Sequence, residues 1–105
     1  MKKEKKIKQL ISSQQPVLLH FYRKGSRAIP SLQTTLDAFS KTATDPNLIL
    51  LNLEVKKVPD LVSEWEVEGA PSLLFFSNGE EKWRLSGTLP SAHINRMLQS
   101  CNQPQ

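Results

Sequence analysis

The apolar positions change period along the chain, and each change marks an element. Ile7, Leu10 and Ile11 are spaced i, i+3, i+4, which predicts a short amphipathic helix over residues 4–12 with lysines on its other face. Ser12 to Pro16 is a polar connection. It leads into V-L-L-H-F-Y, where the apolar run Val17 to Tyr22 is too continuous for a strand exposed on one side. His20 interrupts that run. A basic turn follows, Arg23-Lys24-Gly25-Ser26-Arg27. Beyond it, Ile29, Leu32, Leu36 and Phe39 step by 3, 4 and 3 residues, which predicts a helix over about 28–42. Pro30 suits its first turn, where a missing N–H costs nothing.

Thr44-Asp45-Pro46-Asn47 reads as a turn, and Leu48 to Val55 as a second strand. Two strands joined by a helix make a βαβ unit with parallel strands. Val58 to Glu66 places Leu61, Val62 and Trp65 on one helical face, and Glu68-Gly69-Ala70-Pro71 is a turn. Ser72 to Phe76 and Lys82 to Ser86 read as strands around Asn78-Gly79, a strong hairpin signal, so these two are antiparallel. Gly87 ends the second. A last helix covers about 90–100, with Ile94, Met97, Leu98 and Cys101 along its apolar stripe. The pattern therefore predicts an α/β fold. Its sheet is mixed and four-stranded in the order 2-1-3-4, flanked on both faces by about four helices.

Length and composition narrow this further. The 105 residues make one domain, 1–105, with residues 1–5 and 102–105 expected as flexible ends. No run of about 18 apolar residues is present, and no apolar h-region follows the basic start, so neither a membrane span nor a secretory signal is expected. The net charge of +4 is concentrated in Lys2, Lys3, Lys5, Lys6 and Lys8, with Glu4 among them. Such a tail offers an alternative function, binding nucleic acid or an anionic membrane surface. No aromatic residue is interleaved with the lysines, so there is no stacking platform, and the preferred reading is a solubilised helix face. Cys101 is the one cysteine. It forms no internal disulfide and no metal cluster, and its place on the stripe makes it a core residue. A cytoplasmic location fits, and no cofactor or metal is expected.

Four passages in this order resemble the thioredoxin family. V-L-L-H-F-Y resembles its central strand, and V-P-D-L-V-S-E-W-E-V-E-G-A-P-S its short helix and cis-proline loop. L-L-F-F-S-N-G-E resembles the hairpin that follows, and L-S-G-T-L-P-S-A-H-I-N-R-M-L the last strand and closing helix. The resemblance implies that Pro71 is the cis-proline. It also places the family's C-x-x-C tetrad on Ser26-Arg27-Ala28-Ile29, so both cysteines are absent. The family's buried acid falls on His20, the lysine near it on Leu50, and the tryptophan beside the motif on Gly25. The family's first strand is missing.

These losses bear on one mechanism. A helix N-terminus lowers a thiol pKa and generates a nucleophilic thiolate, whereas a serine hydroxyl is too weakly acidic to respond. Ile29 cannot resolve a mixed disulfide, and Ser26 is better suited to capping the helix. The expected function is therefore a redox-inactive binding or assembly module. An extended protein segment would pair with the loop Ala70-Pro71 and face Gly25, Ser26 and Arg27. His20, Arg23, Lys24 and Ile29 are accessory candidates. The rival is a thiol-linked enzyme, or a glutathione-binding protein, that uses the substrate's own thiol. With the first strand missing, strand 48–55 becomes a candidate sheet edge, and homodimerisation through it is a further expectation. Trp65 is expected in the core, and Trp83 has no assigned place.

Overall fold

The structure, a computed structural model, describes residues 2–25, 29–69, 71–87 and 91–101; for residues 2, 29–33 and 91 it describes the backbone alone. Four strands, β1 (Val17–Tyr22), β2 (Ile49–Glu54), β3 (Ser72–Ser77) and β4 (Glu80–Ser86), form one sheet in the order β2-β1-β3-β4. β1 runs parallel to β2 and antiparallel to β3, and β3 runs antiparallel to β4. This is the expected mixed sheet. The continuous apolar run predicted a central strand, and β1 is buried from Val17 through Phe21.

Helices α1 (Lys2–Ser12), α2 (Ile29–Thr42), α3 (Pro59–Glu64) and α4 (Ser91–Ser100) cover the sheet. On one face, Val17, Leu19, Phe21, Leu53, Leu74 and Phe76 pack with Ile7 and Ile11 of α1 and Leu61 of α3. On the other, Leu18, Leu73 and Phe75 pack with Leu36 and Phe39 of α2 and Leu98 of α4. Cys101 belongs to this second cluster, as its position on the stripe required. Trp65 packs on Phe76, and Trp83 on Phe75, with ring centroids 5.1 Å and 5.7 Å apart. Both tryptophans are half-buried.

The hairpin follows from its turn residues. Asn78 and Gly79 take φ of 56° and 80°, the left-handed pair of a two-residue type I′ turn, and this pairs Ser77 with Glu80. The strands therefore run closer to the turn than the expected bounds. A bulge between Phe75 and Phe76 adds one residue to β4.

Two differences from expectation have physical causes. First, α1 begins at Lys2, and Glu4 is buried although lysines surround it in sequence. Its Oε2 accepts the Leu61 backbone N–H at 2.9 Å. Val58, at the N-cap of α3, makes no side-chain hydrogen bond, so Glu4 satisfies a donor that the helix start would otherwise leave unpaired. Second, a single 3₁₀ turn, Val55–Lys57, takes up the residues between β2 and α3. The expected flexible tail 102–105 lies outside the described residues.

Candidate functional site

β1 leaves the sheet at Tyr22, and Arg23-Lys24-Gly25 turns the chain away, with Gly25 at φ +85°. A side chain is disfavoured in that left-handed conformation, so glycine fits the turn. Phe21 pairs with Ser72, which brings Pro71 and Gly69 to the same end of the sheet as the turn. Tyr22 pairs with Glu54, so the 3₁₀ turn after β2 arrives there too. Gly87 joins them, because its N–H donates to the Pro71 carbonyl at 2.8 Å. Pro71 is buried, and the Ser72 hydroxyl donates to the Gly69 carbonyl at 2.8 Å, which ties the loop to the strand. The sheet thus places Gly25 and Pro71 at the same end. Ser26, Arg27 and Ala70 lie outside the described residues, as do the side chain of Ile29 and the isomeric state of the bond before Pro71.

Beside this junction is an open groove lined by Arg23, Val55, Lys56, Pro59, Val62, Ser63, Val67 and Gly69. Its floor is largely apolar. Arg23 and Lys56 are exposed at the rim and supply positive charge. Lys24 is also exposed but does not line the groove. The sequence reading identified the turn and the proline loop but not this wall. The available signal was Val62 beside Leu61 on the apolar face of a short predicted helix.

His20, an accessory candidate, lies within the central strand. It is fully buried. Its Nδ1–H donates to Asn52 Oδ1 at 2.9 Å, and Nε2 has no hydrogen-bond partner. Burial pushes its pKa below the usual 6.5, and the Asn52 hydrogen bond opposes this in part. His20 does not line the groove. Leu50 pairs with Leu18, and Asn52 is the residue opposite His20, because the parallel register places it two residues further along.

The one thiol cannot serve this site. Cys101 is buried at the end of α4, on the opposite face of the sheet from the groove-lining valines. Burial pushes its pKa up to about 12, so thiolate is scarce at neutral pH.

The thioredoxin family model matches residues 1–100 of the chain. The chain belongs to the thioredoxin family. Thioredoxin 1 of Chlorobaculum tepidum is 37% identical over 43 residues, 41% of this chain and 43% of that relative. Protein disulfide isomerase-like 1-4 of Arabidopsis thaliana is 30% identical over 80 residues, 76% of this chain and 13% of the relative. The chain spans 13% to 56% of the length of the first curated relatives it matches. Among solved structures, oxidised thioredoxin O2 from Arabidopsis thaliana superposes with a TM-score of 0.81 at 13% identity, covering 95% of this chain and 90% of that one. At that identity the likeness is one of fold. Within the family this thioredoxin-like domain lacks the C-x-x-C motif, since its single cysteine is Cys101. Among the described residues, no cluster of His, Cys, Asp or Glu has metal-binding geometry, and no helix is long and apolar enough to cross a membrane.

Proposed function

We propose that this thioredoxin-like domain is redox-inactive and works as a protein-binding or assembly module. The observation that carries the reading is a division within the molecule. The junction of turn and proline loop is kept, with an apolar, positively rimmed groove beside it, while the sole thiol is buried on the other face. A dithiol exchange needs an attacking thiolate and a resolving thiol, and this chain carries neither at the junction. An extended segment docks instead. Its backbone pairs beside Ala70-Pro71, an apolar side chain enters between Val62 and Val67, and an acidic neighbour meets Arg23. Gly25, Ser26 and Arg27 are assigned to the same site in this reading.

Two measurements test this. In a disulfide-reduction assay driven by a small thiol, the chain gives no rate above the thiol alone; real turnover sinks the reading. Selection from a library of extended peptides enriches sequences with an apolar residue next to an acid, and Arg23→Glu reverses the preference for the acid. Enrichment that ignores Arg23→Glu removes the groove from the proposal. The placement of the lost motif is tested separately by Ser26→Cys with Ile29→Cys. Those two thiols oxidise to each other, and failure to do so means that the tetrad has been laid on the wrong residues.

A further inference from the structure

β2 lies at the edge of the sheet, and among the described residues no strand pairs with its outer side. The Ile49 N–H donates inward to the Pro16 carbonyl at 2.9 Å. Backbone groups alternate sides along a strand, so Leu50, Asn52 and Glu54 turn their N–H and C=O groups to the open edge. Three of the strand's six residues therefore face the open edge, with the Glu54 carbonyl at the start of the 3₁₀ turn.

A second observation lies next to that edge. Lys3, Lys6, Ile7 and Leu10 of α1 form a groove with Leu51, Asn52 and Leu53 of β2. Its floor is apolar and its rim is basic. Lys3 and Lys6 are exposed and make no ion pair among the described residues. Nearby acids do not neutralise them. Glu4 is turned inward onto Leu61, and Glu54 lies 3.6 Å from Lys57.

We propose that the β2 edge and the α1 groove form a second docking surface, which takes an extended segment of a partner protein bearing acidic side chains. The segment adds to the sheet as a fifth strand through Leu50, Asn52 and Glu54. On the α1 side, an apolar side chain sits against Leu10 and Leu51, and acidic ones meet Lys3 and Lys6. This surface is separate from the groove at Arg23 and Gly69 and does not depend on it.

Charge decides against a second copy of this chain. Antiparallel pairing of two β2 edges has its two-fold axis perpendicular to the sheet, so both α1 helices fall on the same face. Lys3 and Lys6 of each copy would then confront those of the other across the seam. Like charges so placed oppose association, whereas an acidic strand relieves them.

The test uses the full chain and a short blocked peptide. Valine and glutamate alternate along one strand face of the peptide, and threonine fills the other. Amide hydrogen exchange is read by NMR with and without the peptide. Exchange slows at Leu50, Asn52 and Glu54, while Ile49, Leu51 and Leu53, already directed at β1, change little. The same peptide with lysine for glutamate has no effect. Lys3→Glu with Lys6→Glu, on the exposed face of α1, weakens binding roughly fivefold or more, as expected for removing and reversing two exposed ion pairs. The proposal is overturned if saturating peptide leaves the three amides unprotected, or if the double variant binds as well as the parent. It is also overturned if protection of those amides rises with protein concentration in the absence of peptide, because the occupant is then a second copy.

Discussion

The two faces of the sheet are built from alternate residues of the same strands, yet they treat polar groups differently. Toward α1 and α3, the strands contribute Val17, Leu19, Phe21, Leu53, Leu74 and Phe76. The buried carboxyl group on that side arrives from a helix, as Glu4, and caps α3. Toward α2 and α4, a titratable residue sits within the central strand itself, as His20 beside Leu18. Each intruder has one partnered atom and one without a partner, Glu4 Oε1 and His20 Nε2. The difference lies in what the partner offers. A helix start presents unpaired N–H groups and the positive end of its dipole, which suits a carboxyl group. Asn52 offers a neutral amide oxygen, which holds a ring in place without favouring charge strongly. One face uses its polar group to join two helices, and the other carries a polar group at some cost.

The largest test of this contrast is made on the apolar face. Phe21 is fully buried at the end of β1, between the α1 and α3 contacts. Phe21→Ala should lower unfolding free energy by about 3–5 kcal/mol, the range for emptying an aromatic core site. Urea titration followed by tryptophan fluorescence measures it. A loss near 1 kcal/mol would mean that this face is loosely packed and that the contrast is misplaced.

Next in size is Glu4. If it caps α3, Glu4→Ala leaves the Leu61 N–H buried and unpaired, and should cost about 1–3 kcal/mol. Glu4→Gln keeps an acceptor oxygen and should recover most of the loss. Equal losses from the two variants would indicate that the carboxyl group acts through charge and not through this hydrogen bond. No loss from either would return Glu4 to the solvated lysine face that its sequence neighbours suggest.

Glu4 also shows where sequence reading stops. The elements were legible because each is encoded locally: the unbroken run of β1, the 3-4-3 spacing before Phe39, and the Asn78-Gly79 turn. The order of the strands followed from those elements and from the rules for joining them. Glu4 was not legible, because its partner Leu61 is 57 residues away and its local setting is all lysine. Asn52 was missed for a related reason. Resemblance laid the family's lysine on Leu50, whereas the residue opposite His20 is fixed separately, by the register between strands. At the candidate site, the turn and proline loop could be read as motifs. The groove wall could not, since Val55, Val62 and Val67 come from three segments that converge only after folding.

The smallest effect is confined to a range of pH, and it isolates the other face. Burial holds the His20 pKa below its unfolded value of about 6.5 in the native state. The unfolded chain therefore binds this proton at a higher pH than the folded one does. Stability from this residue is complete above the unfolded value. It declines as pH falls from about 6.5 toward the lower folded value, because there protonation favours the unfolded chain. His20→Leu removes both the titration and the unpartnered Nε2, and leaves Asn52, which is exposed, to water. The measurement is the difference in unfolding free energy between parent and variant across pH 5 to 8, a window of roughly a unit and a half either side of the reference value. The variant should gain on the parent as pH falls. A difference that is flat across the window would mean that His20 is not held neutral by burial, and that the two faces do not differ in the way their partners imply.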